Sequence, residues 1–335
     1  MKWDDVSLEQ WDKLFAGFPE ANFLQGCSWG ELHEAEGDKV LRRGLFKNDK
    51  LVGGYQAIIK NAKRGRYMEV PGGPLIDWTN RLAREQLVGD LKQVGKKKRA
   101  VFVRIRPQLV GSDSNISHLL DLGLKKAPFH LHAEHTNVID LTLGEDELLA
   151  NMRRQTRYEV RQSAKRGVVV SVSTGESAIR EFCELQADTA KRQGFIPSSA
   201  QFLTGMANVF GESVKVYRAE ADGQVLNMAL IIWQGEEADY FEAASTIESR
   251  KFPGAYGLLW QAIRDAKASG MKRYNLWGIA YSDNPHHRYA GVTTFKRGFG
   301  GTDVTYVPAH DLVLRPVAYL KNWVIETARR KKRRL

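Results

Sequence analysis

The sequence predicts an α/β chain of mixed α+β type, built as two copies of one domain, and three observations carry the prediction. The hairpin GLFKNDKLVGGYQAIIK (44–60) has a counterpart in VYRAEADGQVLNMALIIW (216–233), and an offset of 174 positions carries Lys50, Leu51, Val52 and Ile58 onto Gln224, Val225, Leu226 and Ile232. After each hairpin come a strand, a Gly/Pro loop, a helix and a further strand, a shared order lasting about 50 residues, as in a diverged duplication. The chain's 335 residues suffice for two hydrophobic cores.

Along the chain, Ser7 with Gln10 forms a capping box for a helix over 7–16 whose inner face is Leu8, Trp11, Leu14 and Phe15. A short helix near Ser28 turns Trp29 and Leu32 inward, with Glu31 and His33 as polar neighbours. The strand Tyr67–Val70 ends in Pro71, Gly72, Gly73 and Pro74, a rigid loop that is either an ordinary turn or a surface for a ligand. A helix over 80–94 ends at Gly95, and in the next strand Arg104 and Arg106 share one face. Such a pair suits phosphate or carboxylate forks, or a solvated sheet face. A helix over 118–122 and a strand over 137–143 follow.

Between the copies, residues 145–167 read as one helix or two, with Leu149, Met152, Thr156, Val160 and Ala164 as the buried stripe. Arg153, Arg157, Arg161 and Lys165 line its edge at i, i+4 spacing, with Arg154 and Arg166 beside them. Like charges so placed repel, which points to an anionic partner or to acids elsewhere in the fold. A second basic block, RRKKRRL (329–335), follows a helix expected over 317–328 and includes Lys331, Lys332 and Arg333; it suits nucleic acid, anionic lipid or a solvated helix end. The net charge of +11 agrees with a polyanionic partner.

Apolar runs such as Met228–Trp233 are too short to cross a bilayer, the amino-terminal segment lacks a signal core, and two cysteines fit a reducing cytoplasm. No P-loop, dinucleotide fingerprint or zinc spacing occurs. Asp283, His286 and His287 are metal-ligand types without a third anchored partner, and no metal is expected.

The segment KRYNLWGIAYSDNPHHRYAGVTTFKRGFGG (272–301) reads as a strand, a polar loop and a Gly-flanked return carrying Lys296 between Phe295 and Phe299. The glycines allow close backbone approach to a ligand, and the aromatics partly desolvate the amine; a snorkelling surface lysine is the alternative.

RRQTRYEVRQSAKRGV, YFEAAS, PGAYGLLWQAIRDAKASGMKRYNLWGI and above all GVTTFKRGFGG resemble the FemABX family, peptidoglycan interpeptide-bridge aminoacyltransferases, in its compact form without a coiled-coil arm. The resemblance implies two tandem domains of the GCN5-related N-acetyltransferase fold, each a mixed sheet flanked by helices, around a cleft. It divides the chain at 1–146, completed by a helix from 308–335, and 147–307. It implies transfer of an amino acid from aminoacyl-tRNA, as co-substrate and with no cofactor, to the stem-peptide amine of UDP-MurNAc-pentapeptide or lipid II. A cytoplasmic monomer, with peripheral contact at the inner membrane face, is expected. Acyl transfer from a coenzyme A thioester and non-enzymatic nucleic-acid binding are the rivals; proline replaces the first glycine of a coenzyme A loop at 250–255.

By position, Phe295 and Lys296 match the family's active-site pair, and Gly73, Pro74, Arg104 and Arg106 its precursor groove, together with Trp29, Tyr240 and Tyr281, the last on a loop expected to cover the acceptor. Departures from a well-studied branch are Glu31 for lysine, Arg106 for aspartate, Ser198 and Phe202 for arginine and tyrosine, and Glu242 for tyrosine. The arginines and lysines of 153–166, with Lys331, Lys332 and Arg333, are then expected to hold tRNA.

Overall fold

A computed structural model describes residues 1–62, 65–128 and 131–333, without the side chains from Lys331 onward. The chain divides into unit 1, Met1–Glu134 with the segment from Thr305 on, and unit 2, His135–Val304.

Unit 1 opens with β1 (Lys2–Asp5), α1 (Leu8–Ala16), α2 (Cys27–Ala35), β2 (Lys39–Lys47), β3 (Lys50–Ala62) and β4 (Gly65–Gly72). It continues with α3 (Arg81–Lys97), β5 (Phe102–Pro107), α4 (Asp113–Leu120) and β6 (Lys125–Lys126). Unit 2 contains β7 (His135–Asp140), α5 (Glu145–Asn151), α6 (Arg154–Lys165), β8 (Val169–Ser173), α7 (Gly175–Gln193), α8 (Ala200–Phe210) and β9 (Val214–Ala221). Then come β10 (Gln224–Gln234), β11 (Glu237–Ser245), α9 (Gly254–Ala268), β12 (Arg273–Gly278), α10 (Ala290–Arg297) and β13 (Thr302–Thr305). The chain returns to unit 1 with β14 (His310–Val313) and α11 (Pro316–Arg333).

The sheets run β1-β2-β3-β4-β5-β14-β6 and β8-β9-β10-β11-β12-β7-β13. In each, a hairpin leads to an antiparallel third strand, then through one helix to a parallel neighbour. The repeat is therefore structural, and the hairpins' second strands begin at Lys50 and Gln224, as the offset requires. Both hairpins turn on left-handed pairs, Asn48–Asp49 (φ 48 and 60) and Asp222–Gly223 (φ 51 and 72), which match the twist of the flanking strands. In unit 1, Leu87 and Leu91 of α3 pack on Met68, Val70, Val103 and Ile105. In unit 2, Leu258, Leu259, Ala262 and Ile263 of α9 pack on Ile231, Tyr240, Tyr274 and Leu276.

Several expectations need correction. Strand β7 pairs antiparallel with β12 and so belongs to unit 2, because strand partnership is not a local property of the chain. Helix α3 runs through Gly95, where a Cβ would lie 2.5 Å from Leu314 Cδ1, so the glycine admits a neighbour and ends nothing. Helix α1 forms its capping box, but Leu8 faces solvent. The basic block from Arg329 to Arg333 continues α11 and does not follow it; Arg334 and Leu335 lie outside the described residues. No helix among the described residues is long and apolar enough to cross a membrane.

A buried ion-pair network ties the returning segment to unit 1. The guanidinium of Arg104 donates from Nε and Nη2 to both oxygens of Asp311 at 2.8 Å and from Nη2 to Glu326 at 2.8 Å, while Tyr319 donates to Asp311 at 2.9 Å. Arg104 and Asp311 are almost completely buried, so either left alone strands a charge. Arg104→Met is expected to lower the urea-unfolding free energy by about 3–5 kcal/mol; a loss below about 1 kcal/mol would mean the pair holds nothing together.

Candidate active site

Lys296 lies on α10, a helix where the sequence suggested an irregular return. Gly291, Val292, Thr293 and Thr294 are weak helix formers, and packing overrides them. The Thr293 hydroxyl accepts a hydrogen bond from the Ala280 amide at 2.8 Å, and Phe295 packs edge-on against Tyr256 and Phe299, each at 5.2 Å between ring centroids. These contacts turn Lys296 inward, where it is only 7% exposed.

The Lys296 ammonium or amine donates one hydrogen bond, from Nζ to the carbonyl oxygen of Gly278 at 2.8 Å. Nζ also lies 5.8 Å from the ring centroid of Tyr240. Burial without an acidic partner penalises the charged form and brings the lysine pKa down to about 7. The amine can therefore give or accept a proton near neutrality.

Gly278 is held in place by the residue before it. Trp277 adopts φ +58, a left-handed conformation costing a non-glycine residue about 1–2 kcal/mol. Its amide donates to the Asn275 side-chain oxygen at 2.9 Å, and the Thr136 hydroxyl lies between that oxygen and the Trp277 carbonyl, 3.1 Å from the latter. The Asn275 amide in turn donates to Glu237 at 3.1 Å, which also accepts from Arg273 Nε at 3.1 Å. Sequence reasoning missed Asn275, Thr136 and Glu237, although an asparagine inside the apolar run YNLW was the available signal.

On β11 the pairing with β10 skips Phe241, a bulge that re-aims Glu242 relative to Tyr240. Glu242 accepts from Ser198 and from Gln186 of α7. Burial pushes its carboxyl pKa up, partly offset by those two hydrogen bonds. Burial also raises the Tyr240 phenol. Phe202 sits half-buried in the first turn of α8, under the Ser199 cap. Tyr281 is exposed on the loop before α10, edge-on to His287 at 5.5 Å. Asp283, a candidate base by residue type, is exposed and paired with Arg297. A cavity of about 450 Å³ opens between this loop and α10, lined by Ser282, Asp283, Thr294 and Arg297 among others but not by Lys296.

The glycines beside Lys296 serve packing. A Cβ on Gly298 would lie 2.4 Å from the Thr156 hydroxyl, one on Gly300 3.1 Å from the Asn151 carbonyl and one on Gly301 2.6 Å from the Val138 carbonyl. Their close approach is thus to α6, the end of α5 and β7, which corrects the expectation of a ligand there. The Gly298 carbonyl accepts from the Arg153 amide at 2.9 Å, so α10 ends where α6 begins.

Residues 145–167 form two helices broken at Met152–Arg153. Ser163 is buried where Ala164 was expected, because the helical period continues from Val160 by three residues; Ser163 Oγ packs against Gly257 of α9. Arg153, Arg154, Arg161, Lys165 and Arg166 are exposed. Arg157 donates to the carbonyls of Leu149 (3.2 Å), Ala150 (2.6 Å) and Met152 (3.0 Å), closing the α5 end, and Arg166 lies over Phe252 at 5.2 Å. Of the expected tRNA contacts, the side chains of Lys331, Lys332 and Arg333 lie outside the described residues.

In unit 1, Trp29 is buried on α2, edge-on to Phe23 at 5.3 Å and to His33 at 5.0 Å. The Gly72–Pro74 loop is buried too: a Cβ on Gly73 would lie 2.6 Å from the Gln25 side chain, whose amide donates to the Pro71 carbonyl at 2.6 Å. Its glycines admit the chain's own Asn22–Gln25 segment. Arg104 is committed to Asp311 and Glu326, and Arg106 to Gln108, the Ala133 carbonyl and the Tyr306 ring at 4.9 Å. The pair is neither a solvated face nor a free fork.

The FemAB family model matches residues 7–224 and 218–327. A lipid II:glycine glycyltransferase of Staphylococcus saprophyticus is 21% identical over 390 aligned positions, covering 94% of each chain. One from Staphylococcus aureus is 24% identical over 219 positions, covering 62% of this chain and 52% of its own, so the match spans about half of that relative. Among solved structures, FemX superposes with a TM-score of 0.87 at 18% identity, over 97% of this chain and 100% of that one. A tandem GNAT protein from the clavulanic acid pathway gives 0.57 at 11% identity, over 93% and 98%. These two likenesses are of fold: tandem GNAT-like units with open mixed sheets. With the family model matched along nearly the whole length, the chain belongs to the FemAB family.

Proposed function

We propose that this protein is the aminoacyltransferase that its relatives' names suggest, moving an aminoacyl group from aminoacyl-tRNA to a stem-peptide amine of a peptidoglycan precursor, with Lys296 handling the proton. Its class, aminoacyl transfer in peptidoglycan-bridge synthesis, rests on family membership and on relatives named as lipid II:glycine glycyltransferases. The observation that carries the role of Lys296 is a buried amine aimed by one backbone carbonyl, and burial brings its pKa down to about 7.

The acceptor nitrogen attacks the ester carbonyl; a C–N bond forms, and the C–O bond to the tRNA ribose breaks. Protonated Lys296 supplies the proton that the departing ribose oxygen needs, then takes one from the new ammonium, leaving the amide and a regenerated lysine. A group with pKa near the working pH does both steps well. Glu242 accepts a hydrogen bond from the acceptor's amine. The exposed basic residues of α6 hold the tRNA backbone, with Arg157 positioning the start of that helix.

Lys296→Met is expected to lower kcat by about 10²–10⁴ with circular dichroism unchanged; a folded variant with full activity would refute the role. The same variant tests the lysine's protonation. Because burial depresses the lysine's pKa from 10.5 to about 7, the unfolded chain holds the proton more tightly between those values, and wild-type stability rises with pH across that window. The stability advantage of Lys296→Met over wild type should therefore be largest below pH about 7 and shrink by roughly 3–5 kcal/mol as pH approaches 10.5; urea midpoints with pH-independent spacing would contradict it. Affinity for charged tRNA should fall steeply with salt, and Arg154→Ala with Arg161→Ala should reduce the slope of log K against log salt by about 1–2.

A further inference from the structure

We infer that the outward face of α11 seats the protein on an anionic phospholipid bilayer. Val317, Leu320 and Val324 recur at helical spacing and are 88%, 62% and 54% exposed, with Trp323 exposed beside them. Large aliphatic side chains gathered in one stripe on the solvent side suit an apolar partner.

The opposite face already has its partners. Tyr319 is buried with its hydroxyl on Asp311, and Glu326 accepts from Arg104 at 2.8 Å. Glu326 is the one acidic residue between Pro316 and Arg333, so its inward turn leaves the outer surface with Lys321 and no carboxylate. Arg330 reaches the Pro128 carbonyl at 3.5 Å, and the sequence continues with further lysines and arginines. An apolar stripe, an interfacial tryptophan and long cations at its border match a helix lying in the plane of a membrane surface. The aliphatics enter the acyl boundary while the cations reach the phosphates.

Charge decides between this occupant and others. Two copies meeting through the stripe would bring their cations together, and nucleic acid would leave the aliphatics uncovered. The inference stands on the geometry of α11 and does not depend on Lys296.

The test is co-sedimentation of the full chain with vesicles of phosphatidylglycerol and phosphatidylcholine in equal parts, against phosphatidylcholine alone. Binding is expected to the first and not the second, with a blue shift in emission that Trp323→Phe diminishes. Leu320→Glu with Val324→Glu should weaken binding at least about tenfold, since burial of each aliphatic is lost. Lys321→Glu with Arg330→Glu should weaken it comparably and serves as the second variant should the first not fold. Wild type that leaves anionic vesicles unbound, or a Leu320→Glu, Val324→Glu chain that binds them as wild type does, would overturn the inference. So would a stripe whose loss changes only sedimentation mass, marking a second copy, or only tRNA affinity.

Discussion

A lysine amine kept out of water with a single backbone carbonyl as its anchor is the constraint around which unit 2 is arranged. The carbonyl belongs to Gly278, whose position depends on a left-handed Trp277, which in turn depends on Asn275 and Thr136. On the other side, α10 is held by edge-on aromatic packing of Phe295 and by three glycines that let its end press onto α5, α6 and β7. A lysine placed this way has neither an acid to charge it nor enough water to solvate it, so its proton is loosely held. The surrounding polar groups act on where the amine is, and its desolvation acts on what it can do.

What was legible in the sequence, and what was not, separates along physical lines. The hairpins, the helix after each third strand and the duplication could be read because periodicity and turn chemistry are local, down to the Asn48–Asp49 and Asp222–Gly223 turns. Lys296 could be singled out from its motif, but not the helix that carries it, since Gly291 to Thr294 are poor helix formers and tertiary packing decides. Glycine was the most misread residue type. Gly73, Gly95, Gly298 and Gly301 all looked like ends, turns or ligand approaches, yet each admits another part of the same chain. Close approach is written in the sequence; the identity of what approaches is not. Arg104 was misread for a related reason, because Asp311 lies more than two hundred positions away and no local pattern announces it.

The excess positive charge is likewise divided by structure into different tasks. Arg104 and Arg106 are internal, Arg157 closes the end of α5, and the remaining cations of α6 stay on its exposed edge. The net charge of +11 therefore does not by itself say which cations a partner can reach. Basic helices α6 and α11 also differ in kind, the first carrying charge beside a buried stripe and the second beside an exposed one.

The two units do not close in the order in which they are written. Unit 2 is continuous from His135 to Val304, and its sixth strand in sheet order, β7, comes first in its sequence. Unit 1 takes its sixth strand, β14, from the far end of the chain, together with Asp311 for Arg104. Until the segment from Thr305 on is made, β5 has no β14 beside it and Arg104 has neither Asp311 nor Glu326, whereas the strands of unit 2 are by then all in the chain. Completing unit 1 thus takes both ends of the chain, and completing unit 2 takes only its middle.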